Sequence, residues 1–109
     1  MANRIEAAKQ EIHVLMGKAY GKAVAAGVLP GGGEDIIGTI DIPRDVKNGD
    51  YASAWAMAAA KTLRRPPRAI ADALIAELDL ADSYFSTAEV AGAGFVNFRL
   101  SEKWYREVL

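Results

Sequence analysis

The sequence contains no cysteine and a single histidine, His13, in 109 residues. Without cysteine, a disulfide framework and thiolate chemistry are excluded, which fits a reducing compartment. One histidine without cysteine provides too few ligands for a typical zinc site and no adjacent nucleophile of the cysteine type, so we predict neither a metal site nor a histidine-based triad in this chain. The N-terminus lacks a signal-type apolar stretch, and no hydrophobic run is long enough to cross a membrane. We therefore expect a cytoplasmic protein that has no membrane partner.

An excess of charge of either sign is also missing. Thirteen Lys and Arg residues stand against fourteen Asp and Glu residues, for a formal net charge of −1. General attraction to nucleic acid is excluded, no DNA partner is expected, and any RNA binding must come from a local patch. Hydrophobic residues at 51% and charged residues at 25% are typical of a globular protein. This length supports one domain with its own core.

Hydrophobic periodicity predicts four helices and three strands. Helices are predicted over Arg4–Ala26, Tyr51–Leu63 and Pro67–Leu78, and as a last helix that follows Ser101 as its N-cap. Strands are predicted over Ile36–Ile42, Tyr84–Ala91 and Phe95–Leu100, and Asp50 is expected to cap the second helix. This α-β-α-α-β-β-α order predicts an α+β fold, a two-layer sandwich with helices packed on one face of a small, mainly antiparallel sheet.

The last predicted strand carries the most informative pattern. Side chains alternate between faces in an extended chain, so Val96, Phe98 and Leu100 share an apolar face. Phe95, Asn97 and Arg99 share the other face. A ring, an amide and a guanidinium in a row suit an unpaired nucleobase, because the ring stacks, the amide bonds base edges and the cation meets phosphate. The alternative is a solvated sheet face on which a helix covers Phe95.

Four cations form a second candidate site around Pro66-Pro67, namely Lys61, Arg64, Arg65 and Arg68. No acidic residue interrupts them, so they could contact phosphates with a salt-dependent affinity. Cations that favourably end a helix are an equally good interpretation. Asp41, Asp45 and Asp50 fall at a strand end, a turn and a cap, with no histidine or cysteine to cooperate. The residues thus predict no catalytic group.

Three ordered segments carry a resemblance to a known family. They are Lys47-Asn48-Gly49-Asp50-Tyr51-Ala52-Ser53, Pro67-Arg68-Ala69-Ile70-Ala71 and Ala91-Gly92-Ala93-Gly94-Phe95-Val96-Asn97-Phe98. This set resembles the N-terminal additional domain of arginyl-tRNA synthetases, over nearly all of residues 1–109. The family often has Asn where Ala54 stands, His where Asn48 stands, and Gly-Pro-Gly in place of Gly92-Ala93-Gly94. We therefore expect altered hydrogen bonding at the Gly49-Asp50 turn and a less rigid hairpin.

The resemblance implies a class I enzyme that joins L-arginine to tRNA(Arg) at the expense of ATP. The signatures His-Ile-Gly-His and Lys-Met-Ser-Lys-Ser do not occur in this sequence. The resemblance thus implies an excised, inactive N-terminal domain without a cofactor, whose catalytic and anticodon-binding domains are absent. Its expected partners are the catalytic domain of the same chain and the tRNA D-loop. An aromatic and an amide residue after the glycine turn meet a D-loop base in that family, and Phe95 and Asn97 hold those places.

Two other functions remain open at this stage. A protein-interaction module could dock through the last helix, where Trp104 and Tyr105 are expected to be exposed together with Leu109. A small metabolic enzyme has less support, because the chain offers no nucleophile–base pair, metal set or cofactor loop.

Overall fold

The computed structural model describes residues 4–36, 38–45 and 49–107. Its elements, in chain order, are α1 (Arg4–Ala25), β1 (Ile40–Asp41), β2 (Tyr51–Ser53), α2 (Trp55–Leu63), α3 (Pro67–Glu77), β3 (Phe85–Ala91), β4 (Phe95–Leu100) and α4 (Glu102–Glu107). The strands form one antiparallel sheet in the order β1-β2-β4-β3. The predicted α+β class is confirmed.

Helices α2 and α3 pack on one face of the sheet, here called the inner face, and α1 packs against α3. Val96 and Phe98 of β4 point to this face and are fully buried. Phe98 meets Phe85 of β3 with ring centroids 5.3 Å apart, in an edge-to-face arrangement. Ala56 and Ala59 of α2 are also fully buried, because their small side chains let the helix approach closely. The opposite face of the sheet is here called the outer face.

The helix predicted over Tyr51–Leu63 is wrong at its start. Residues 51–53 form strand β2, which pairs with β1 on one side and with β4 on the other. Helix α2 begins only at Trp55, whose backbone N–H donates to the Ser53 hydroxyl, 3.3 Å away. Asp50 is therefore no helix cap, and its carboxylate accepts a hydrogen bond from the Leu100 N–H at 2.8 Å. Pairing with two strands outweighs local helix propensity here.

The strand predicted over Ile36–Ile42 is also wrong in extent, since only Ile40–Asp41 pair within the described residues. Gly38 instead packs on the start of α2, where an added Cβ would lie 2.4 Å from Trp55 Cα. Ile40 is buried, whereas Ile42 is 57% exposed. Ile37 lies outside the described residues.

The expected exposure of Trp104 is wrong. Trp104 is 5% exposed and meets the Tyr84 ring edge-on, with centroids 5.4 Å apart. Tyr105 is exposed as expected, and Leu109 lies outside the described residues. The predicted Ser101 side-chain cap does not form, since the Trp104 N–H donates to the Ser101 carbonyl and Ser101 Oγ has no partner among the described residues. With its tryptophan in the core, α4 offers little of the docking surface expected of an interaction module.

Candidate nucleic-acid interface

The central strand β4 positions the first predicted site. A hairpin turn through Gly92 and Gly94 connects it to β3, and the Gly94 N–H donates to the Ala91 carbonyl at 3.3 Å. Both glycines have positive φ angles, 56° and 142°, which non-glycine residues rarely adopt. Because β2 lies on its other side, β4 holds its outer-face side chains in the middle of the sheet.

Phe95 and Asn97 both lie on the outer face, away from α2 and α3. Phe95 is 37% exposed, whereas Asn97 is only 6% exposed because neighbouring strands flank it. Both line one depression of about 360 Å³. The remaining lining residues are Asp41, Pro43, Ala52, Ala91 and Gly92. The structure thus brings together the ring and the amide that the alternation pattern paired.

The Asn97 amide is a polar group of this depression for which the described residues provide no hydrogen-bond partner. Asn97 is 6% exposed, and within residues 4–36, 38–45 and 49–107 its side chain forms no hydrogen bond. Its amide atoms are not among the fully buried unpaired atoms of those residues, so they reach the surface at the depression. An amide that has no partner within the protein and that opens onto a depression is available to a ligand. An amide presents both donors and an acceptor, which suits the edge of a nucleobase.

A second cavity, of about 380 Å³, lies between α1 and the residues Gly33, Glu34, Ile36 and Gly38. The Tyr20 hydroxyl and the Trp55 indole N–H, which line it, bond within the protein. The Tyr20 hydroxyl donates to the Pro30 carbonyl at 2.7 Å and accepts from the Gly33 N–H at 2.9 Å. Trp55 Nε1 donates to the Ile36 carbonyl at 3.0 Å. This cavity therefore offers a ligand less unsatisfied hydrogen-bonding capacity than the outer-face depression does.

The cations of the second predicted site are all exposed at the junction between α2 and α3, at Lys61, Arg64, Arg65 and Arg68. Two contacts place this junction against the hairpin turn. Arg68 Nη1 donates to the Gly92 carbonyl at 2.8 Å. An added Cβ on Gly94 would lie 2.7 Å from Pro67 Cβ, so the two segments touch. The structure thereby brings the cluster to the same end of the molecule as Phe95.

The backbone of the cluster explains part of its composition. Arg64 ends α2 in the left-handed conformation, with φ 55°, and its N–H donates to the Ala60 carbonyl. Pro67 begins α3 at the first helical position, where its missing N–H costs nothing. Arg68 bonds the turn, and Arg65 Nη1 donates to the Arg64 carbonyl at 3.2 Å, so two of the four cations already bond within the protein.

Arg99 lies on the outer face too, but at the far end of β4. It pairs with Thr87 of β3 and is half-buried. Arg99 lies four positions after Phe95, so their backbones are roughly 13 Å apart along the strand. The structure therefore places Arg99 on the correct face but not inside the depression with Phe95 and Asn97.

Sequence reasoning missed Asp41 and Ala52 as neighbours of the site. Asp41 pairs with Ala52, and Ala52 pairs with Asn97, so the three residues form one row across the outer face. The helix assigned to residues 51–53 hid this row. The alternation of Asp41 between Ile40 and Ile42 was the signal that could have indicated an outward-facing carboxylate.

Other chemistry is sparse in the part of the chain that the structure describes. No group of three or more His, Asp or Glu side chains there could hold a metal ion. Among those residues, no helix has both the length and the apolar character that crossing a membrane requires. Burial, together with the charge of Asp50, raises the pKa of Tyr51, which lies on the inner face. His13 is exposed on α1.

Comparison with known proteins places this arrangement in a family. The profile described as "Arginyl tRNA synthetase N terminal domain" matches residues 5–100. An arginine–tRNA ligase of Acetivibrio thermocellus is 38% identical over 109 residues, which are all of this chain and 19% of that protein. One from Symbiobacterium thermophilum is 35% identical over 105 residues, 96% of this chain and 18% of that protein. The chain thus spans about a fifth of the length of these curated relatives.

Solved structures agree with the sequence comparison. The arginyl-tRNA synthetase of Thermus thermophilus matches with a TM-score of 0.58 and 32% identity, over 84% of this chain and 14% of that one. The enzyme of Plasmodium falciparum matches with a TM-score of 0.61 over 87% of this chain and 16% of that one, and at 15% identity it supports the fold alone. On the strength of the profile match, the chain belongs to the family of arginyl-tRNA synthetase N-terminal domains.

Proposed function

We propose that residues 1–109 are the tRNA-contacting N-terminal domain of a cytoplasmic arginine–tRNA ligase. In this proposal the full-length enzyme joins L-arginine to tRNA(Arg) using ATP, and its catalytic and anticodon-binding domains lie outside this chain. The domain itself supplies tRNA binding, with no catalytic residue and no cofactor. The relatives named above and the family match support this assignment.

The outer-face depression is the proposed reading site for an unpaired D-loop base. The observation that carries this proposal is the deeply set Asn97 side chain, whose amide has no partner among the described residues, beside the exposed Phe95 ring. A base stacked on Phe95 would present an edge toward Asn97, which lies two residues farther along the same face, about 7 Å away. The fold leaves this face uncovered by α2 and α3.

The exposed cations at the α2–α3 junction are proposed to bind phosphates that flank the read base. Lys61, Arg64 and Arg65 lie at the end of the molecule where the hairpin turn presents Phe95. Arg68 contributes charge there and also holds the turn. Arg99, at the other end of β4, would contact a phosphate on the far side of the base. The net charge of −1 requires such a local patch.

Replacing Phe95 or Asn97 by alanine in the full-length enzyme should lower kcat/KM for tRNA(Arg). Loss of one stacked base contact corresponds to about 1–3 kcal/mol, or roughly 5- to 150-fold. The Thr87→Ala variant is a suitable control, because Thr87 is exposed on the same face but does not line the depression. Charging assays with varied tRNA measure the effect. Wild-type kcat/KM in both the Phe95→Ala and the Asn97→Ala enzyme would refute the site.

Removing two cluster cations should weaken the salt dependence of tRNA binding. Each lost phosphate contact reduces the slope of log K against log salt by about 0.7–0.9, so Arg64→Gly with Arg65→Ala should reduce it by about 1.5. Glycine is chosen at Arg64 because the left-handed backbone there favours it. Filter binding of labelled tRNA from low to high salt measures the slope.

Lys18→Ala with Lys22→Ala is the matched control for this experiment. These two exposed lysines remove the same charge from α1, near Glu77 and Asp79 at the opposite end of α3. The eleven residues of α3 put that end roughly 16 Å from the cluster. Equal slope changes in both double variants would mean that tRNA responds to overall charge and not to this cluster.

A further inference from the structure

The outer-face depression contains a second polar residue besides Asn97, the exposed carboxylate Asp41. The registers Asp41–Ala52 and Ala52–Asn97 put the two polar residues in one row, with Ala52 between them. Residues paired directly across strands project to the same face. Ala52 contributes only a methyl group, so the row has a polar wall at each side and a small residue as its floor.

The spacing of this row fits one planar heterocycle. Two strand spacings separate the Asp41 and Asn97 backbones, about 10 Å. That distance leaves room for a single ring that forms a hydrogen bond of about 3 Å with the residue on each side. Phe95, two residues from Asn97 on the same face, closes the depression with an aromatic surface. The arrangement therefore contacts a base by its plane and by two of its edges.

The two walls differ in chemistry. An ionised carboxylate only accepts hydrogen bonds, whereas an amide both donates and accepts. A group that faces Asp41 must therefore donate, as an exocyclic amino group does, while a carbonyl oxygen there would meet another oxygen. Glu89 pairs with Asn97 from the β3 side. The row therefore has a carboxylate at each end, with Glu89 next to the amide and Asp41 beyond Ala52. This charge disfavours a phosphate at the centre of the outer face and leaves phosphates to the cations at the α2–α3 junction.

We propose that Asp41 is a specificity-determining residue, which selects a base that carries an exocyclic amino group over the same base with a carbonyl oxygen in that place. This inference rests on the proposed function, because it assumes that the depression receives a tRNA base. It adds a selection rule and a residue from β1, an element that contributes none of the sequence-predicted site residues.

The experiment uses the full-length enzyme and tRNA(Arg) transcripts with single changes in the D-loop. An abasic scan first locates the read nucleotide, whose loss lowers kcat/KM in the wild-type enzyme but not in the Asn97→Ala variant. At that nucleotide, cytosine is then compared with uracil, and adenine with hypoxanthine. Within each pair, only an amino group and its adjoining ring nitrogen change to the carbonyl form. The wild-type enzyme should prefer the amino member of at least one pair by about tenfold in kcat/KM.

The decisive variant is Asp41→Asn, which keeps the side-chain shape and adds a donor. Its amino-to-carbonyl ratio should fall to about one, since an amide can bond either group. Glu89→Gln is the matched control, because it makes the same chemical change beside Asn97 but outside the depression, and its ratio should remain that of the wild type.

Two results would overturn the Asp41 assignment. One is a wild-type enzyme without preference in either pair, and the other is an Asp41→Asn enzyme that retains the wild-type ratio. If Phe95→Ala still lowers kcat/KM in that case, the proposed reading site stands and only the role of Asp41 fails. If Phe95→Ala and the abasic scan both leave kcat/KM unchanged, the reading site itself fails.

Discussion

Replacing Phe98 by alanine should lower the free energy of unfolding by about 3–5 kcal/mol, while the same change at Phe95 should cost less than about 1 kcal/mol. The two residues belong to one strand and differ in the face to which they point. Phe98 is fully buried and packs edge-on against Phe85, so its removal leaves a cavity between the sheet and the helices. Phe95 is 37% exposed on the outer face, where water can fill the vacated space.

Urea unfolding of the 109-residue chain measures both costs, with the midpoint and slope followed by circular dichroism. The effects of the two substitutions on tRNA charging should not follow their effects on stability. Phe95→Ala should impair charging by the full-length enzyme at nearly unchanged stability, because its ring serves the ligand and not the core. A Phe95→Ala chain that is destabilised as much as Phe98→Ala would show that the Phe95 ring is needed for folding, and its kinetic effect could then not be assigned to base stacking.

Replacing Gly94 by alanine should destabilise the chain by several kcal/mol and displace the hairpin turn. Two costs combine at this position. The backbone has φ 142°, a conformation nearly reserved for glycine, and the added Cβ would lie 2.9 Å from the backbone carbon of Pro67. Backbone atoms at the start of α3 cannot yield as a flexible side chain can, so the turn must move away from the helix.

The Gly92→Ala variant is the control for Gly94→Ala. Gly92 also has a positive φ, 56°, but an added Cβ there would meet only Phe95 Cδ2, at an ordinary 3.8 Å. We expect a cost of about 1–2 kcal/mol, from the left-handed backbone alone. Urea midpoints of the two variants give the comparison. Equal destabilisation would show that the contact with Pro67 contributes nothing and that backbone conformation accounts for both effects.

Movement of the turn should also reach the binding site. Phe95 follows Gly94 directly, and Arg68 bonds the carbonyl of Gly92 within the same turn. In the full-length enzyme, Gly94→Ala should therefore reduce kcat/KM for tRNA(Arg) more than Gly92→Ala does. This comparison tests whether α3 holds the aromatic ring in its reading position.

Strong, local patterns made much of the fold predictable. Helix α1 was predicted from Arg4 to Ala26 and ends at Ala25, and β4 has the predicted bounds Phe95–Leu100. In both cases a periodic pattern is bounded by a glycine that favours a chain reversal. Gly27 follows the helix, and Gly94 precedes the strand. The alternation within β4 likewise assigned Phe95 and Asn97 to the face that the helices leave open.

The β1–β2 region could not be predicted in this way. Tyr51–Ser53 is three residues long and directly precedes an alanine-rich helix, so local propensity extended the helix over it. The strand exists because β4 lies on one side of it and β1 on the other, and both come from distant parts of the sequence. Such pairing energy has no local signature.

The same limit applies to burial at the C-terminus. Trp104 and Tyr105 are adjacent aromatic residues in a short helix, and nothing in their spacing distinguishes them. Packing against Tyr84 buries Trp104, while Tyr105 remains 52% exposed. The interaction-module hypothesis treated both as surface residues, and the structure separates them.

The amino-acid order alone determined the α+β class, the family resemblance and the pairing of an aromatic ring with an amide on one face of β4, because each depends on residues close in sequence. Only the tertiary structure decided that Asp41 shares their depression, that the α2–α3 cations lie beside the hairpin turn, and that the deeply set Asn97 has no partner among the described residues. These last relations join residues up to 56 positions apart, as Asp41 and Asn97 are. They arise from strand register and helix packing, which no short stretch of sequence encodes.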